Sequence, residues 1–351
     1  MLKYICLNNI IHMELKYIDE SLKKQWDDLV KNNPASGYMQ SFWWADVQNL
    51  LGWETYKIGI FNREKLLGGA IIAKYNHFKN KSILYIGEGP VLPYEEPVAE
   101  EMFKLLMSQI DTIAEFDGSH PTSHISIELK LLQVPAFFSR FQRAQSDRQP
   151  LSTLMIDLQL SEEEILKQMK PKGRYNIKIS QKNGVVISRI PPSRGFSDFL
   201  KLYLPFVKRS GFDGKDRDYF ERLNYILSEE GGGEYFFASY KGKVLAVALV
   251  IYFGNTATYL FGASSDENRQ VMAPYGLHGE IIRFAKKSGY HWYDWYGISP
   301  GENTTQHPWD GFSVFKKKFG GKQVNYIGAY DFIYNKNLYL PNHPRKRFWI
   351  V

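Results

Sequence analysis

The chain has 351 residues, of which 44% are hydrophobic and 23% are charged. This length and composition predict a globular protein with room for two domains of roughly 150 residues each. Lys and Arg outnumber Asp and Glu by 44 to 37, and the formal net charge of +7 favours polyanionic partners such as RNA, diphosphates or an anionic membrane surface. The single cysteine, Cys6, excludes a disulfide framework and a cysteine-based metal site.

Targeting signals are weak in this sequence. The longest uninterrupted apolar run, residues 244–253, has ten residues and is too short to span a bilayer. The first twelve residues lack the basic-then-apolar order and the small-residue cleavage site of a secretory signal, and Met13 is an alternative start. We therefore expect a cytoplasmic protein in a reducing compartment.

Hydrophobic periodicity and turn residues predict alternating helices and strands. In chain order we expect a helix at 21–31, a hairpin at 56–75, a helix at 98–115, strands at 125–129, 154–158 and 185–190, helices at 196–209 and 218–229, a hairpin at 235–253, a strand at 256–261, a helix at 276–288 and a strand at 291–295. Helices interleaved with a mixed sheet that starts from a hairpin are typical of an α/β acyltransferase with the acetyltransferase-like (GNAT) layout.

The two predicted hairpins, 56–75 and 235–253, resemble one another. Each begins with an aromatic-rich run, turns through a short charged stretch and continues as an apolar strand of small and β-branched residues. Two such hairpins about half a chain apart indicate a tandem repeat of one domain. We predict a first GNAT-like domain at 13–160 and a second at 161–351, joined by a helical connection at 161–182.

Several catalytic motifs are absent from the sequence. No HExxH or paired-histidine spacing occurs, so we expect no metal site and no metal hydrolase. The chain also lacks the GxSxG elbow, the GxGxxG dinucleotide fingerprint and the GxxxxGK[ST] phosphate loop. These absences argue against a serine hydrolase, a Rossmann cofactor and P-loop nucleotide hydrolysis.

Acetyl-CoA enzymes of the GNAT fold cradle the CoA pyrophosphate with backbone N–H groups in a glycine-rich loop. The corresponding stretch here is 269–276, in which Ala273 and Pro274 replace the residues that such a loop needs. Pro274 has no N–H to donate. The fold is therefore predicted to be retained and the CoA site lost, which favours a different acyl donor.

The C-terminal part of the sequence carries the most specific pattern. Its segments are 259–265, Ala273-Pro274-Tyr275, 293–298, Gly311-Phe312-x-x-Phe315-Lys316-x-x-Phe319-Gly320-Gly321 and 326–328. This succession resembles the FemABX family of peptidoglycan bridge-forming aminoacyltransferases, and weaker matches extend from about Met13. One departure is Glu88, which precedes Gly-Pro where the family often has Arg.

The resemblance implies two GNAT-like domains and an enzyme that moves an amino acid from aminoacyl-tRNA to the peptide stem of a peptidoglycan precursor. The acceptor would be a UDP-linked or lipid-linked muramyl peptide, and the charged tRNA would be a co-substrate, with no further cofactor. A monomer suffices for this reaction, and the basic surface favours peripheral contact with the inner membrane face.

Lys316 is the catalytic candidate, because it matches the family lysine in Phe-Lys-x-x-Phe-Gly that faces the reacting ester. A cation there would stabilise the oxyanion formed when an amine attacks the ester carbonyl. The competing interpretation is a solvated basic helix face, since Lys317 and Lys318 follow directly. With the motif, we favour the catalytic role. The resemblance also assigns the preceding Phe315 to substrate binding.

Other candidates are tied to substrate binding. Lys172 and Arg174 begin a basic helical stripe with Lys178 and Lys182, which either binds phosphate or is an ordinary solvated face. The resemblance places an Arg or Lys and a Tyr for the acceptor's diphosphate and uracil near Arg209, Lys215 and Tyr219.

Three further positions have two interpretations each. Tyr259 either faces the cleft or packs in the core. Glu95 and Glu96 lie near the place of a proposed carboxylate base in the family, or form a plain surface loop. Asp294, between Tyr293 and Trp295, is either a site carboxylate or a buried hydrogen-bond acceptor, and we favour the structural role.

Two alternative functions remain open from the sequence. One is an acyl-CoA-dependent N-acyltransferase of the GNAT fold, against which Ala273 and Pro274 argue. The other is a non-catalytic module that binds tRNA or a wall precursor, against which the intact Phe315-Lys316 segment argues.

Overall fold

We describe the fold from a computed structural model, in which the described residues are 12–77, 81–115, 120–211, 214–301 and 309–339. The α-helices are Lys23–Lys31 (α1), Phe42–Leu50 (α2), Val98–Glu115 (α3), Glu162–Gln168 (α4), Pro171–Lys182 (α5), Pro192–Ser210 (α6), Arg217–Glu230 (α7), Ala273–Lys287 (α8) and Asp310–Lys316 (α9). The strands are Met13–Tyr17 (β1), Glu54–Asn62 (β2), Lys65–His77 (β3), Lys81–Gly87 (β4), Thr122–Leu129 (β5), Gln142–Arg143 (β6), Ser152–Asp157 (β7), Val186–Ile190 (β8), Gly233–Tyr240 (β9), Lys243–Phe253 (β10), Thr256–Ser264 (β11), Trp292–Gly297 (β12), Lys322–Asn325 (β13) and Gly328–Ile333 (β14).

The chain forms two compact units, one of Met1–Gln149 with Tyr326–Val351 and one of Pro150–Asn325. The first unit contains a seven-stranded sheet in the order β1-β2-β3-β4-β5-β14-β6. The second contains a seven-stranded sheet in the order β8-β9-β10-β11-β12-β7-β13. In each sheet the fourth and fifth strands pair in parallel, and their neighbours pair antiparallel. The predicted mixed α/β fold with an internal repeat is confirmed.

The two predicted hairpins take equivalent places in the sheets. Strands β2 and β3 pair antiparallel, with Asn62 opposite Lys65, and β9 and β10 pair with Tyr240 opposite Lys243. The first turn residues, Arg63 and Lys241, both have positive φ angles, of 56° and 49°. The common turn geometry and strand order support an origin of the two halves from one repeated domain.

The predicted division near residue 161 differs from these units in two places. Strand β7 precedes residue 161 but pairs with β12 and β13 in the second sheet. Strand β14 lies near the end of the chain but pairs with β5 and β6 in the first sheet. In both cases the pairing joins segments that are far apart in sequence, so the last strand of each half completes the sheet of the other half.

The predicted helical connection at 161–182 is two helices, α4 and α5, both in the second unit. Helix α5 packs on α8, and glycines of α8 permit a close approach. A Cβ atom on Gly276 would lie 2.1 Å from Ser180 Oγ, and one on Gly279 would lie 3.3 Å from Ile177. Since α8 covers the sheet core, which includes Leu277, Ile281 and Trp295, α5 is fixed relative to the sheet.

Within the described ranges, none of the helices combines the length and the apolar character that crossing a membrane requires.

Candidate active site

The site in the second unit begins where two parallel strands separate. Strands β11 and β12 pair only from Thr256–Thr258 to Trp292–Asp294. Beyond that point β11 continues against β10, whereas β12 pairs with β7 with an irregularity between Asp294 and Gly297. Backbone carbonyls of β12 at the separation therefore need partners from outside the sheet ladder.

Lys316, the last residue of α9, supplies those partners. Its Nζ donates hydrogen bonds of 2.7 Å to the carbonyl oxygens of Trp295 and Gly297. The residue is only 7% exposed. Its Nζ lies 5.3 Å from the centre of the Tyr259 ring and 5.1 Å from that of Phe312. The solvated-face interpretation is thus excluded for Lys316, whereas Lys317 and Lys318 are half-buried.

Burial and a neighbouring charge have opposite effects on the pKa of Lys316. Burial lowers the pKa of Lys316 from 10.5 to about 7, and the neighbouring charge of Asp294 acts in the opposite direction to raise this pKa. An ammonium group has three N–H donors, and two of them are bound to carbonyls. The third has no partner among the residues that the structure describes, so it can donate to an oxygen of a substrate, in a site where a cation interacts more strongly than in water.

Asp294 supports the strand that receives Lys316. Its Oδ1 accepts a hydrogen bond from the hydroxyl of Thr153 and another, of 2.7 Å, from the backbone N of Tyr296. Tyr296 has a φ angle of 58°, which is rare for a residue other than glycine. Asp294 therefore stabilises a bend between the two carbonyls that accept from Lys316. These hydrogen bonds agree with the structural role that we favour for Asp294. The same carboxylate also affects the charge of Lys316, so the structural role is not its whole contribution.

An aromatic cluster surrounds the lysine. His278 of α8 is buried with its ring 4.5 Å from those of Tyr259 and Trp295, and its Nδ1 lies 3.0 Å from the Tyr293 hydroxyl. Burial, together with the charge of Lys316, lowers the pKa of His278 to about 3. His278 is therefore neutral near pH 7, so it adds no second cation to the site.

Two predicted binding residues belong to this cluster. The ring of Tyr259 packs edge-on against His278 and Trp295 as well as lying under the Lys316 ammonium. Burial raises the pKa of Tyr259. Phe315 packs against Tyr275 and Phe319, at ring distances of 5.0 and 5.3 Å. Both residues thus shape the wall around Lys316, and a contact of either with substrate stays a prediction.

Lys172 and Arg174, both on helix α5, have different surroundings. The Arg174 guanidinium turns back and donates to the carbonyl oxygens of Met169 and Leu166 at the end of α4. Lys172 is exposed to solvent. The first turn of α5 also lies against the segment that follows Lys316, since a Cβ on Gly173 would be 2.3 Å from the Lys318 carbonyl oxygen.

Arg209, Lys215 and Tyr219 lie in the same unit, around the end of α6 and the start of α7. Arg209 donates to the Ser264 carbonyl over 2.8 Å and makes a 2.5 Å ion pair with Asp266. The Lys215 ammonium lies 5.0 Å from the centre of the Tyr219 ring. The Tyr219 hydroxyl is buried and has no hydrogen-bond partner in the part of the chain that the structure describes. Lys215 and Tyr219 are thus neighbours, whereas Arg209 contacts the segment at the end of β11, and the binding role of all three stays a prediction.

Glu95 and Glu96 lie in the first unit, on an exposed turn before α3. Their backbone forms the turn, in which Glu96 N donates to the Pro93 carbonyl over 2.8 Å. The nearby Glu88 is buried instead, and it accepts a 3.2 Å hydrogen bond from Met39 N. The described residues contain no group of three or more His, Cys, Asp and Glu side chains that could hold a metal ion.

The family model with the description "FemAB family" matches residues 22–115, 129–230 and 229–343, and the chain therefore belongs to the FemAB family. Lys316 lies in the third matched segment. A lipid II:glycine glycyltransferase of Staphylococcus epidermidis is 22% identical over 391 aligned residues, which cover 90% of this chain and 92% of the relative.

Two solved structures support the fold assignment. The crystal structure of FemX has a TM-score of 0.80 and 20% identity, with coverage of 93% of this chain and 98% of FemX. A tandem GNAT protein from the clavulanic acid biosynthesis pathway has a TM-score of 0.53 and 11% identity, with coverage of 91% and 98%. The prediction of two GNAT-like units in tandem is confirmed.

Proposed function

We propose that this chain is an aminoacyltransferase that transfers an amino acid from aminoacyl-tRNA to an amine of a peptidoglycan precursor during cross-bridge formation. The relatives in the FemAB family are named as glycyltransferases acting on lipid II. The observation that carries the proposal is the buried Lys316, whose own ammonium group lies where β11 and β12 separate.

The reaction needs no redox step and no cofactor beyond the charged tRNA. The acceptor amine attacks the carbonyl carbon of the aminoacyl ester, forming a C–N bond and a tetrahedral oxyanion. The C–O bond to the terminal ribose then breaks, the proton lost by the amine passes to the departing ribose oxygen, and an amide remains. Positioning of the two substrates alone supplies up to roughly 7–11 kcal/mol of such a barrier.

Lys316 contributes through its third N–H. The two bonds to Trp295 and Gly297 fix the ammonium, so the remaining donor points at a fixed place and little reorganisation is needed as charge develops. A preorganised donor of this kind is worth about 3–4 kcal/mol to the transition state. The ester is already activated, so no covalent enzyme intermediate is required.

The start of helix α8 disfavours acyl-CoA as the donor. A CoA pyrophosphate needs free backbone N–H groups at such a helix terminus. Here the backbone N atoms of Tyr275 and Gly276 already donate to the Met272 carbonyl oxygen, over 2.9 and 3.3 Å. Pro274, which lies between Ala273 and Tyr275, has no N–H. Aminoacyl-tRNA is therefore the donor we favour.

A lipid-linked muramyl peptide is the acceptor we favour over a UDP-linked one, since the relatives act on lipid II. Such a reaction would occur at the inner membrane face, with a cytoplasmic protein that binds the membrane peripherally. We propose that the active form is a monomer.

The test is transfer of radiolabelled amino acid from a pool of charged tRNAs to lipid-linked and UDP-linked muramyl pentapeptide in parallel, with acetyl-CoA as a competing donor. We expect label in the lipid-linked peptide and no acetyl transfer. Acetylation from CoA without aminoacyl transfer would overturn the proposal in favour of an N-acyltransferase. Binding of tRNA or precursor without transfer to either acceptor would instead indicate a non-catalytic module.

A further inference from the structure

One face of helix α5 combines cations with an exposed aromatic ring. Tyr175, Lys178 and Lys182, at positions i, i+3 and i+7, lie in one line along the helix. Tyr175 is 63% exposed, and Lys172, Lys178 and Lys182 are exposed as well. The helix, PKGRYNIKISQK, contains no Asp or Glu. This face, defined by Lys172, Tyr175, Lys178 and Lys182, is called the α5 face below.

The opposite side of α5 holds the α5 face in a fixed orientation. Ser180 and Ile177 pack against Gly276 and Gly279 of α8, where a Cβ on either glycine would come within 3.3 Å. Arg174 is tied to the end of α4 by its guanidinium. The three lysines are therefore presented on a rigid scaffold and not on a mobile loop.

The charges of the α5 face are not neutralised. Within the described residues, Lys172, Lys178 and Lys182 make no ion pair, whereas Lys24, Lys104 and Lys201 on other helices each pair with an acid of their own helix. Lys178 and Lys182 are four residues apart, a spacing at which like charges destabilise a helix. Retaining such a pair is explained if an anion binds across it.

The α5 face leads directly to the site of Lys316. Lys170 N donates to the Lys318 carbonyl oxygen over 3.0 Å, and Gly173 packs against the same carbonyl. The twelve residues of α5 extend for about 18 Å from this contact. A polyanion lying along the helix would thus have one end beside the segment that begins at Lys316.

We propose that the α5 face binds the sugar-phosphate backbone of aminoacyl-tRNA near its acceptor end. The inference rests on the proposed function, since it takes charged tRNA as the donor. Lysines along a rigid face bind phosphates, and an exposed tyrosine among them stacks on an unpaired base. A membrane surface fits less well, because an interfacial helix needs a continuous apolar face, and the apolar side of α5 is buried on α8.

The test compares the full chain with a Lys172→Gln/Lys178→Gln/Lys182→Gln variant and with Tyr175→Ala. A charge-matched control is Lys24→Gln/Lys104→Gln/Lys201→Gln, whose lysines are exposed and ion-paired. Fluorescence anisotropy with labelled tRNA at several salt concentrations gives the affinity and its salt slope. Transfer is then measured with charged tRNA and with an aminoacyl ester of the terminal CCA trinucleotide.

We expect the α5 variant to bind tRNA at least ten-fold more weakly, with a log–log salt slope reduced in magnitude by about 2, as the loss of three phosphate contacts implies. Its KM for charged tRNA should rise, and transfer from the trinucleotide ester should fall by a smaller factor, because the ester reaches only the end of the α5 face nearest Lys316. The control should match the wild type. Tyr175→Ala should weaken binding without changing the salt slope.

Three outcomes would overturn the inference. In the first, tRNA affinity of the α5 variant equals that of the control. In the second, transfer from the trinucleotide ester falls as much as transfer from tRNA, which would indicate damage to the site of Lys316. In the third, the α5 variant no longer sediments with phosphatidylglycerol vesicles that bind the wild type, while its affinity for tRNA persists. Since anisotropy does not depend on catalysis, wild-type protein that binds tRNA without transferring would refute the proposed function and leave the α5 face supported.

Discussion

The Lys316 ammonium and the Asp294 carboxylate act on one another through both geometry and charge. Asp294 holds the bend at Tyr296, and the bend presents the Trp295 and Gly297 carbonyls to Lys316. The same carboxylate offsets part of the burial that lowers the pKa of Lys316 to about 7. The charged form of Lys316 near neutral pH therefore depends on Asp294.

The Asp294→Asn variant separates these two effects. Asparagine keeps an oxygen that accepts from Thr153 and Tyr296 N but loses the negative charge. Transfer should fall as pH rises through the pKa of Lys316, and without Asp294 this descending limb should move to lower pH. The neighbouring groups, neutral His278 and the Tyr259 phenol, do not compensate for the lost charge.

A pH–rate profile for transfer is the measurement. Thr153→Val is the matched control, because it removes a donor to Asp294 and keeps the charge, so its descending limb should stay in place. A limb that is unmoved in Asp294→Asn would contradict the electrostatic role of this carboxylate.

The buried lysine also links stability to pH. The folded pKa of about 7 lies below the unfolded value of 10.5, so between these values the unfolded chain binds the proton and the folded chain does not. Raising the pH through this window should therefore stabilise the wild type relative to Lys316→Met, by at most about 1.4 kcal/mol per pH unit.

Denaturant unfolding of both proteins between pH 7 and 10 measures this difference. Other titrating groups are common to the two chains and largely cancel. A stability difference that stays constant across the window would show that Lys316 is protonated throughout, as an ordinary exposed lysine would be.

At the scale of elements, the contact between α5 and α8 decides where the α5 face lies. Gly276→Ala would place a Cβ 2.1 Å from Ser180 Oγ and 2.9 Å from Ser180 Cβ. Overpacking of this kind costs about 1–3 kcal/mol, which exceeds the gain of up to about 1 kcal/mol for replacing glycine by alanine in a helix. We therefore expect the variant to be destabilised.

Gly311→Ala is the matched control, because Gly311 lies in helix α9 and a Cβ there would meet no described residue within 4 Å. Thermal unfolding of the two variants should shift in opposite directions, upward for Gly311→Ala. Stabilisation by Gly276→Ala would show that α5 is not closely packed on α8.

Local sequence patterns predicted several elements well. The helix expected at 98–115 is α3, and the hairpins at 56–75 and 235–253 are β2–β3 and β9–β10, because their periodicity and turn residues lie within each segment. The burial of Lys316 was not predictable from spacing, since Lys317 and Lys318 resemble a solvated run. The contact of Arg174 with α4 depends on the break between α4 and α5 at Met169 and Lys170. The spacing of the basic residues in the sequence does not predict this contact.

At the scale of the whole molecule, each sheet is completed by a strand from the other half of the sequence. The position of β14 between β5 and β6, and of β7 between β12 and β13, makes the two units depend on one continuous chain. No local pattern encodes such a pairing, which is why a boundary near residue 161 was predicted. The repeat itself was predictable because both halves keep the same hairpin signature.

Ending the chain after Asn325 should unfold the first unit while leaving the second folded. The truncation removes β14, which leaves the inner edge of β5 without its partner from His124 to Leu129, whereas β7 and β13 are retained. Unpaired buried backbone groups are strongly destabilising. Circular dichroism and limited proteolysis should show protection of 150–325 alone. Protection of both units would contradict the assigned role of β14.

The catalytic role of Lys316 is tested by single-turnover transfer from charged tRNA to the lipid-linked muramyl peptide, compared among wild type, Lys316→Met and Lys316→Arg. Lys316→Met should bind both substrates but transfer about 10²–10³-fold more slowly, as expected for the loss of one preorganised donor. Lys316→Arg should recover little, because a planar guanidinium does not reproduce the geometry of the two carbonyl contacts. Transfer by Lys316→Met at the wild-type rate would contradict the catalytic role of Lys316.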